Sequence, residues 1–194
     1  MNQGLSSLKF DQYGIVEVEN FLSKDFCSRQ VQEIQNQKLR TAQVQNSIDK
    51  NINLDIRKSY LSWIDDWKGE NQYLKIVLTD LMLELSNFFR LSLKRFESQY
   101  SFYDNGGFYK KHLDQNHLQK DRQVSFLIYL NDLEKGGELV LYEPENREKE
   151  YRIIKPQVGK LVLFPSSNIV HEVKLNHSPR YAINTWFRDD EVLW

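Results

Sequence analysis

The sequence predicts an α+β fold in which N-terminal helices buttress a double-stranded β-helix, or jelly roll, of about eight strands. Apolar residues recur at helical spacing in the first half of the chain, and after Phe96 the pattern changes to short strand-like runs separated by turn residues. Helices first and strands afterwards is the order of an α+β chain whose strands form a two-sheet roll. At 194 residues the chain is expected to make one domain, with residues 1–95 as helical support and substrate loop and residues 96–194 as the jelly-roll core.

Taken in order, residues 14–18 suggest a short strand, and Ser23 can cap a helix running through Phe26, Val31 and Ile34. Residues 37–52 are polar, rich in Gln and Asn and without a clear period, which reads as a surface loop or a loosely held hairpin where substrate recognition could reside. Leu74, Val77, Leu78, Leu81, Leu85, Phe88 and Phe89 recur at helical spacing and mark an amphipathic helix laid on a sheet. The expected strands are 96–103, 107–113, 123–130, 138–142, 151–154, 160–164, 169–174 and 181–187. Turn residues punctuate them at Asn105-Gly106-Gly107, Gly136-Gly137, 156–159 and 176–179.

Lysine plus arginine number 26 and aspartate plus glutamate 27, a net charge of −1, so the charge balance gives no sign of a nucleic-acid or membrane partner. The single cysteine, Cys27, has no intramolecular partner, reads as a small apolar helix residue, and fits a reducing compartment. Residues 1–9 lack the basic stretch and apolar run of a secretory signal, and no segment approaches the length of a membrane span. The expected location is the cytoplasm.

Chemistry concentrates in His112-Leu113-Asp114, in His171 and in Arg180, nine residues further on. If 107–114 is a strand, His112 and Asp114 share a face, and a jelly roll can bring His171 beside them. Two imidazoles and a carboxylate are a facial ligand set for non-haem Fe(II) with positions left open. The same alternation puts Arg180, Ala182, Asn184 and Trp186 on one face. A lone arginine inside a barrel needs an anion, and guanidinium binds carboxylate through two charge-assisted hydrogen bonds, which points to a cosubstrate such as 2-oxoglutarate. Ser125, Leu127 and Tyr129 share a face on their strand, so the Tyr129 hydroxyl could be a second donor to that carboxylate, with Leu127 and Val173 as apolar lining. His117 and His177 lie in polar, turn-like surroundings and read as solvated.

The chain resembles the prolyl hydroxylases among the Fe(II)- and 2-oxoglutarate-dependent oxygenases, in particular the cytosolic oxygen-sensing type and its bacterial relatives. The resemblance rests on Asp55-Ile56-Arg57 with Ser62-Trp63-Ile64, on residues 103–114, on Tyr129-Leu130-Asn131 and on Gly136-Gly137-Glu138-Leu139. It continues through Phe164, His171-Glu172-Val173, Arg180-Tyr181-Ala182-Ile183 and Trp186. It implies that His112, Asp114 and His171 bind iron, that Arg180 and Tyr129 hold the far carboxylate of 2-oxoglutarate, and that Tyr103 lies near its metal-bound end. Arg57, Arg122 and Trp186 match positions near the peptide substrate; Tyr109 matches too, although strand alternation puts it on the face opposite His112. Three departures stand out: a glycine-rich turn after Tyr103 one residue shorter, Ser59 in place of an acidic residue that contacts substrate, and Asn184 in place of a hydroxyl residue near the iron.

The implied reaction consumes 2-oxoglutarate and O2, with ascorbate as an optional reductant, releases succinate and carbon dioxide, and hydroxylates a proline in a protein, elongation factor Tu being a candidate if the source is bacterial. Two other readings remain open: a hydroxylase of a free amino acid or other small molecule, and a jelly-roll sensor that binds metal and ligand without turnover. A wide groove flanked by Arg57 and residues 37–52 would favour the protein substrate, a closed pocket the small molecule. Oligomeric state is not legible.

Overall fold

The structure, a computed structural model, describes residues 9–46, 49–51 and 53–191. The ends of the expected domain, and residues 47, 48 and 52 of the expected substrate loop, lie outside the described residues. Helix α1 (Lys24–Asn36) begins as predicted, with extended Ser23 accepting the Phe26 N–H through its Oγ at 3.2 Å. It buries Phe26, Cys27 and Ile34. Helix α2 (Glu70–Phe89) buries Leu74, Val77, Leu78, Leu81 and Leu85. Phe88, which the periodicity placed on the same stripe, is instead 56% exposed and stacks on Phe10.

The strands are β1 (Val16–Val18), β2 (Arg40–Thr41), β3 (Val44–Asn46), β4 (Asp49–Asn51), β5 (Arg57–Lys58), β6 (Tyr60–Trp63) and β7 (Arg95–Tyr103). They continue with β8 (Phe108–His112), β9 (Arg122–Tyr129), β10 (Leu139–Tyr142), β11 (Glu150–Ile154), β12 (Leu161–Pro165), β13 (His171–Val173) and β14 (Arg180–Arg188). The eight expected strands are β7 to β14. Strand β1 was also expected, and β3 with β4 forms the hairpin that was one of two readings for residues 37–52. Strands β2, β5 and β6 were not anticipated, and they extend both sheets with residues that precede the helix α2.

Two antiparallel sheets result. The major sheet runs β1-β12-β9-β14-β7-β6-β2 and the minor sheet β11-β10-β13-β8-β5. Alternation along the major strands feeds two separate apolar layers. Phe126 and Ile128, Leu161 and Leu163, and Ile183 and Phe187 pack with the buried faces of α1 and α2. Their neighbours Leu127 and Tyr129, Val162 and Phe164, and Ala182 pack with Leu139, Leu141 and Val173 of the minor sheet. Each fully buried large apolar side chain contributes about 1.5–3 kcal/mol, so a one-residue register slip, which would reverse both layers, is strongly opposed. The helices therefore lock the major sheet's register, and the space between the sheets is left for the site. At the turn joining β7 to β8, a Cβ on Gly107 would lie 2.9 Å from the carbonyl oxygens of both Asp104 and Lys58. Only glycine lets β5 approach β8 there.

Candidate active site

Strands β8 and β13 pair so that His112 lies opposite His171, with ring centroids 4.1 Å apart. Asp114 is not on the strand, which ends at His112; it sits in the bend that follows. What aims it inward is a tether rather than strand alternation: Ser125 Oγ on β9 donates to Asp114 Oδ2 at 2.7 Å, and Ser166 lies 2.7 Å behind Ser125. Asp114 Oδ1 is 3.7 Å from His112 Nε2, and Oδ2 is 3.6 Å from His171 Nε2. The ligand atoms of the three residues all fall within 4.8 Å of one another.

Both imidazoles are fixed in one tautomer by their backbone partners. Nδ1–H of His112 donates to the Lys110 carbonyl at 2.9 Å, and Nδ1–H of His171 to the Ile169 carbonyl at 3.0 Å. Each Nε2 lone pair is thereby left facing Asp114, the arrangement a metal-binding histidine needs. Burial, and then the neighbouring His171, push the His112 pKa well down, so this imidazole is neutral. For Asp114 burial acts upward, but the two imidazoles, Arg122 and the Ser125 hydroxyl outweigh it and hold the carboxyl below its usual range. Two imidazole nitrogens and one carboxylate make up the donor set, the combination that suits Fe(II).

Tyr109 was expected on the face opposite His112, and that expectation fails. The register against β13 shifts between His171↔His112 and Val173↔Tyr109, so three steps on β8 span two on β13. This bulge turns Tyr109 back to the His112 side, where the two rings stack with centroids 3.5 Å apart and planes at 20°.

Arg180 opens β14 opposite Tyr103 and is 1% exposed, the largest fully buried side chain. Its guanidinium lies 5.0 Å from the ring centroids of both Tyr103 and Tyr129. Among the described residues it has no carboxylate partner, and its Nε has no hydrogen-bond partner. The Tyr129 hydroxyl is likewise buried without one. Burial pushes that hydroxyl up to about 12; the nearby Arg180 charge opposes the rise, yet no hydrogen bond of normal geometry joins the two. A buried cation beside a neutral, unused O–H donor is costly on its own and fits a ligand carboxylate.

Between the sheets lies a cavity of ≈ 1270 Å³. It brings together Arg57, Tyr103, Tyr109, His112, Asp114, Arg122, Leu127, His171, Val173, Arg180 and Trp186. Tyr129 is the one expected site residue outside its lining, fully buried behind Arg180. Arg40, Thr41 and Gln43 reach the cavity from residues 37–52. At one wall the Arg122 guanidinium lies 3.7 Å from the Trp186 ring and is held by Glu97 at 2.7 Å. Ser59 is 1% exposed and turned away from the cavity to accept from Arg57 Nε at 2.7 Å. Asn184 lines the cavity and donates to Ser101 Oγ at 3.2 Å. His117 and His177 are exposed, as expected, although His117 reaches the cavity edge.

Sequence reasoning missed Ser166 and Glu97, whose roles depend on pairings across 41 and 25 residues. Phe164, which the resemblance includes without a role, contacts the site, its ring edge-on to His171 at 4.9 Å. Nothing local marks Ser166 or Glu97.

Residues 98–188 match the model of the 2OG-Fe(II) oxygenase superfamily. A PKHD-type hydroxylase of Parvibaculum lavamentivorans is 31% identical over 105 residues, 53% of this chain and 43% of that protein, so the chain spans less than half the length of this curated relative. The crystal structure of a Pseudomonas putida prolyl-4-hydroxylase superposes with a TM-score of 0.77 at 27% identity, covering 96% of both chains. A Trichoplax adhaerens prolyl hydroxylase, in complex with a peptide fragment of the hypoxia-inducible factor oxygen degradation domain, superposes with a TM-score of 0.79 at 26% identity. The similarity covers 92% of this chain and 84% of that one. No helix among the described residues is long and apolar enough to cross a membrane.

Proposed function

We propose that this chain is a 2-oxoglutarate-dependent dioxygenase that hydroxylates a prolyl residue in a protein, a reading supported by its similarity to the 2OG-Fe(II) oxygenase superfamily and to prolyl hydroxylases. The observation that carries the reading is Arg180, a fully buried cation without an anion among the described residues, opening into the same cavity as the His112, Asp114 and His171 cluster. A carboxylate at one end and a metal-chelating group at the other describe 2-oxoglutarate.

His112, Asp114 and His171 would hold the iron. When bound, Fe(II) with 2-oxoglutarate and O2 supplies an oxidative decarboxylation, yielding succinate and carbon dioxide, coupled to insertion of one oxygen atom into a substrate C–H bond. The chain's own residues orient and exclude. Arg180 and the neutral Tyr129 hydroxyl fix the far carboxylate by directed hydrogen bonds, while Tyr103 closes one side of the cosubstrate. Leu127, Val173 and Phe164, all nearly buried, keep water from the cluster. Ser125 and the backbone carbonyls of Lys110 and Ile169 hold the three ligands in place.

The protein substrate is favoured over a small molecule by the cavity, which is wide and flanked by Arg57 and by Arg40, Thr41 and Gln43, not closed. Arg57, Tyr109, Arg122 and Trp186 form the proposed substrate wall. Elongation factor Tu is a candidate substrate, and the proposed compartment is the cytoplasm, where a lone buried thiol such as Cys27 stays reduced. The proposed catalytic unit is one domain, with residues 96–194 as its jelly-roll core. Incubation with Fe(II), 2-oxoglutarate and proline-containing proteins is expected to add one oxygen in mass to a proline and to release succinate. Succinate without an oxidised proline would remove the prolyl assignment, and no succinate would remove the oxygenase.

A further inference from the structure

Arg57 is the second buried cation of the cavity, and no described residue gives it an anion. It is 8% exposed, and among the described residues no carboxylate lies within ion-pair distance of it. The other cations that line the cavity compare differently: Arg122 is held by Glu97 and Lys111 by Glu148, Arg180 is assigned to the cosubstrate, and Arg40 and Arg147 are exposed. Asp114 is the only carboxylate among the described lining residues, and it faces the two imidazoles.

The guanidinium is also held still. Its Nε–H donates to Ser59 Oγ at 2.7 Å, and its Cζ lies 4.5 Å from the centroid of the Tyr109 ring, which stacks in turn on His112 at 3.5 Å between centroids. A fixed cation with one nitrogen engaged and the rest of its fork uncommitted is built to receive a carboxylate in defined geometry. Ser59 supplies no charge and no described residue supplies an anion, which leaves that pairing to the ligand.

On the proposed reading that the ligand is a protein segment, we infer that Arg57 selects an acidic one, pairing with an aspartate or glutamate close in sequence to the proline that is hydroxylated. The spacing follows from the stack: only the Tyr109 ring separates the guanidinium from His112, a proposed metal ligand, and an extended chain advances about 3.3 Å per residue, so the acidic residue lies within about three positions of the proline. Arg57 is thus a specificity-determining residue.

The test uses the full chain with 2-oxoglutarate and Mn(II) in place of iron, without oxygen. Fluorescent peptides with a central proline and a single Asp at each of the three positions on either side are compared with their Asn counterparts by anisotropy. The best Asp peptide is expected to bind at least about ten-fold tighter than its Asn counterpart, the difference shrinking with added salt. Arg57→Gln should abolish the difference, and Arg57→Glu should transfer the preference to a Lys peptide at the same position, with thermal unfolding confirming that both variants fold. Equal binding of Asp and Asn peptides at every position, complete absence of binding included, overturns the inference. So does an Asp preference that survives in Arg57→Glu. The same peptides, incubated with Fe(II) in air and weighed, separate the two claims: a charge preference in binding without oxygen on the proline removes prolyl hydroxylation and leaves the Arg57 assignment standing.

Discussion

Replacing Arg180 by methionine separates a ligand-binding arginine from a structural one, because the two roles predict opposite patterns. Without ligand, wild-type Arg180 is 1% exposed, and among the described residues no carboxylate lies beside it. Exchanging an uncompensated buried ion for an apolar side chain of similar length is often neutral or stabilising by about 1–4 kcal/mol. Against that stands the loss of its contacts with the Tyr103 and Tyr129 rings, worth about 0.5–2 kcal/mol. The ligand-free variant should therefore unfold near the wild-type temperature or above it.

With 2-oxoglutarate the order reverses. At a ligand concentration of about 100 times the wild-type Kd, binding stabilises the native state by about 2.7 kcal/mol, which in a chain of this length raises Tm by about 5–11 °C. Truncating one partner of a buried charge pair costs about 2–5 kcal/mol; taking a hundred-fold loss of affinity, the same concentration leaves the variant about 0.4 kcal/mol and a shift of about 1–2 °C. The measurement is thermal unfolding of both proteins with a divalent metal, with and without 2-oxoglutarate, under nitrogen. An equal ligand shift in the two would refute the assignment of Arg180 to the cosubstrate. A ligand-free variant destabilised by several kcal/mol would refute the premise that the guanidinium lacks a partner.

Three further outcomes follow from the geometry. Ser125→Ala removes the hydroxyl that aims Asp114 and should weaken metal binding about ten- to a hundred-fold by direct titration; unchanged affinity would show that the bend alone holds the carboxylate. Gly137 has φ +69, and an added Cβ would lie 2.3 Å from Asn176 Oδ1 and 3.2 Å from Arg180 Cδ, so Gly137→Ala should lose about 1–3 kcal/mol in chemical denaturation. Weakened 2-oxoglutarate binding should accompany that loss, and a neutral result on both counts would contradict the packing described. The Asp190 carboxyl is held far below its usual range by hydrogen bonds from Arg188 and then Arg95, against the opposing effect of burial. Its folded pKa is depressed, so its contribution to stability is present above the ordinary aspartate pKa of about 3.9 and is lost as pH falls below it. The stability gap between wild type and Asp190→Asn should accordingly narrow on acidification, and a gap that stays constant from neutral pH into the acid range would rule this out.

His112, which follows Lys110-Lys111, was legible through its spacing to Asp114. His171 and Arg180 were legible because one lies inside and the other heads an apolar strand-like run, whose alternation assigns a face without knowledge of the partner strand. The eight strands of the roll were legible for the same reason. Strands β2, β5 and β6 were not, since two to four residues are too few to show a period. Asp114 came out in the right place for a reason the sequence does not contain: it lies beyond the end of β8 and is carried inward by Ser125 from β9. Glu97 and Ser166 act through partners remote in the chain, which no local pattern reports.

Tyr109 is the instructive failure, because the irregularity that defeated the alternation rule also builds the part of the site that the rule could not show. On a regular strand a spacing of three places residues on opposite faces, and Tyr109 would turn away from His112. The extra residue in β8 makes the same spacing a same-face pair, and the stacked phenol becomes a platform over which Arg57 lies at 4.5 Å. One bulge thus joins the His112, Asp114 and His171 cluster to the proposed substrate side of the cavity. Arg57 can sit this close to the cluster without losing its fixed orientation because Ser59 beneath it is small, buried and uncharged. An acidic residue at position 59 would neutralise Arg57 within the protein; serine leaves that charge to be met by whatever enters the cavity.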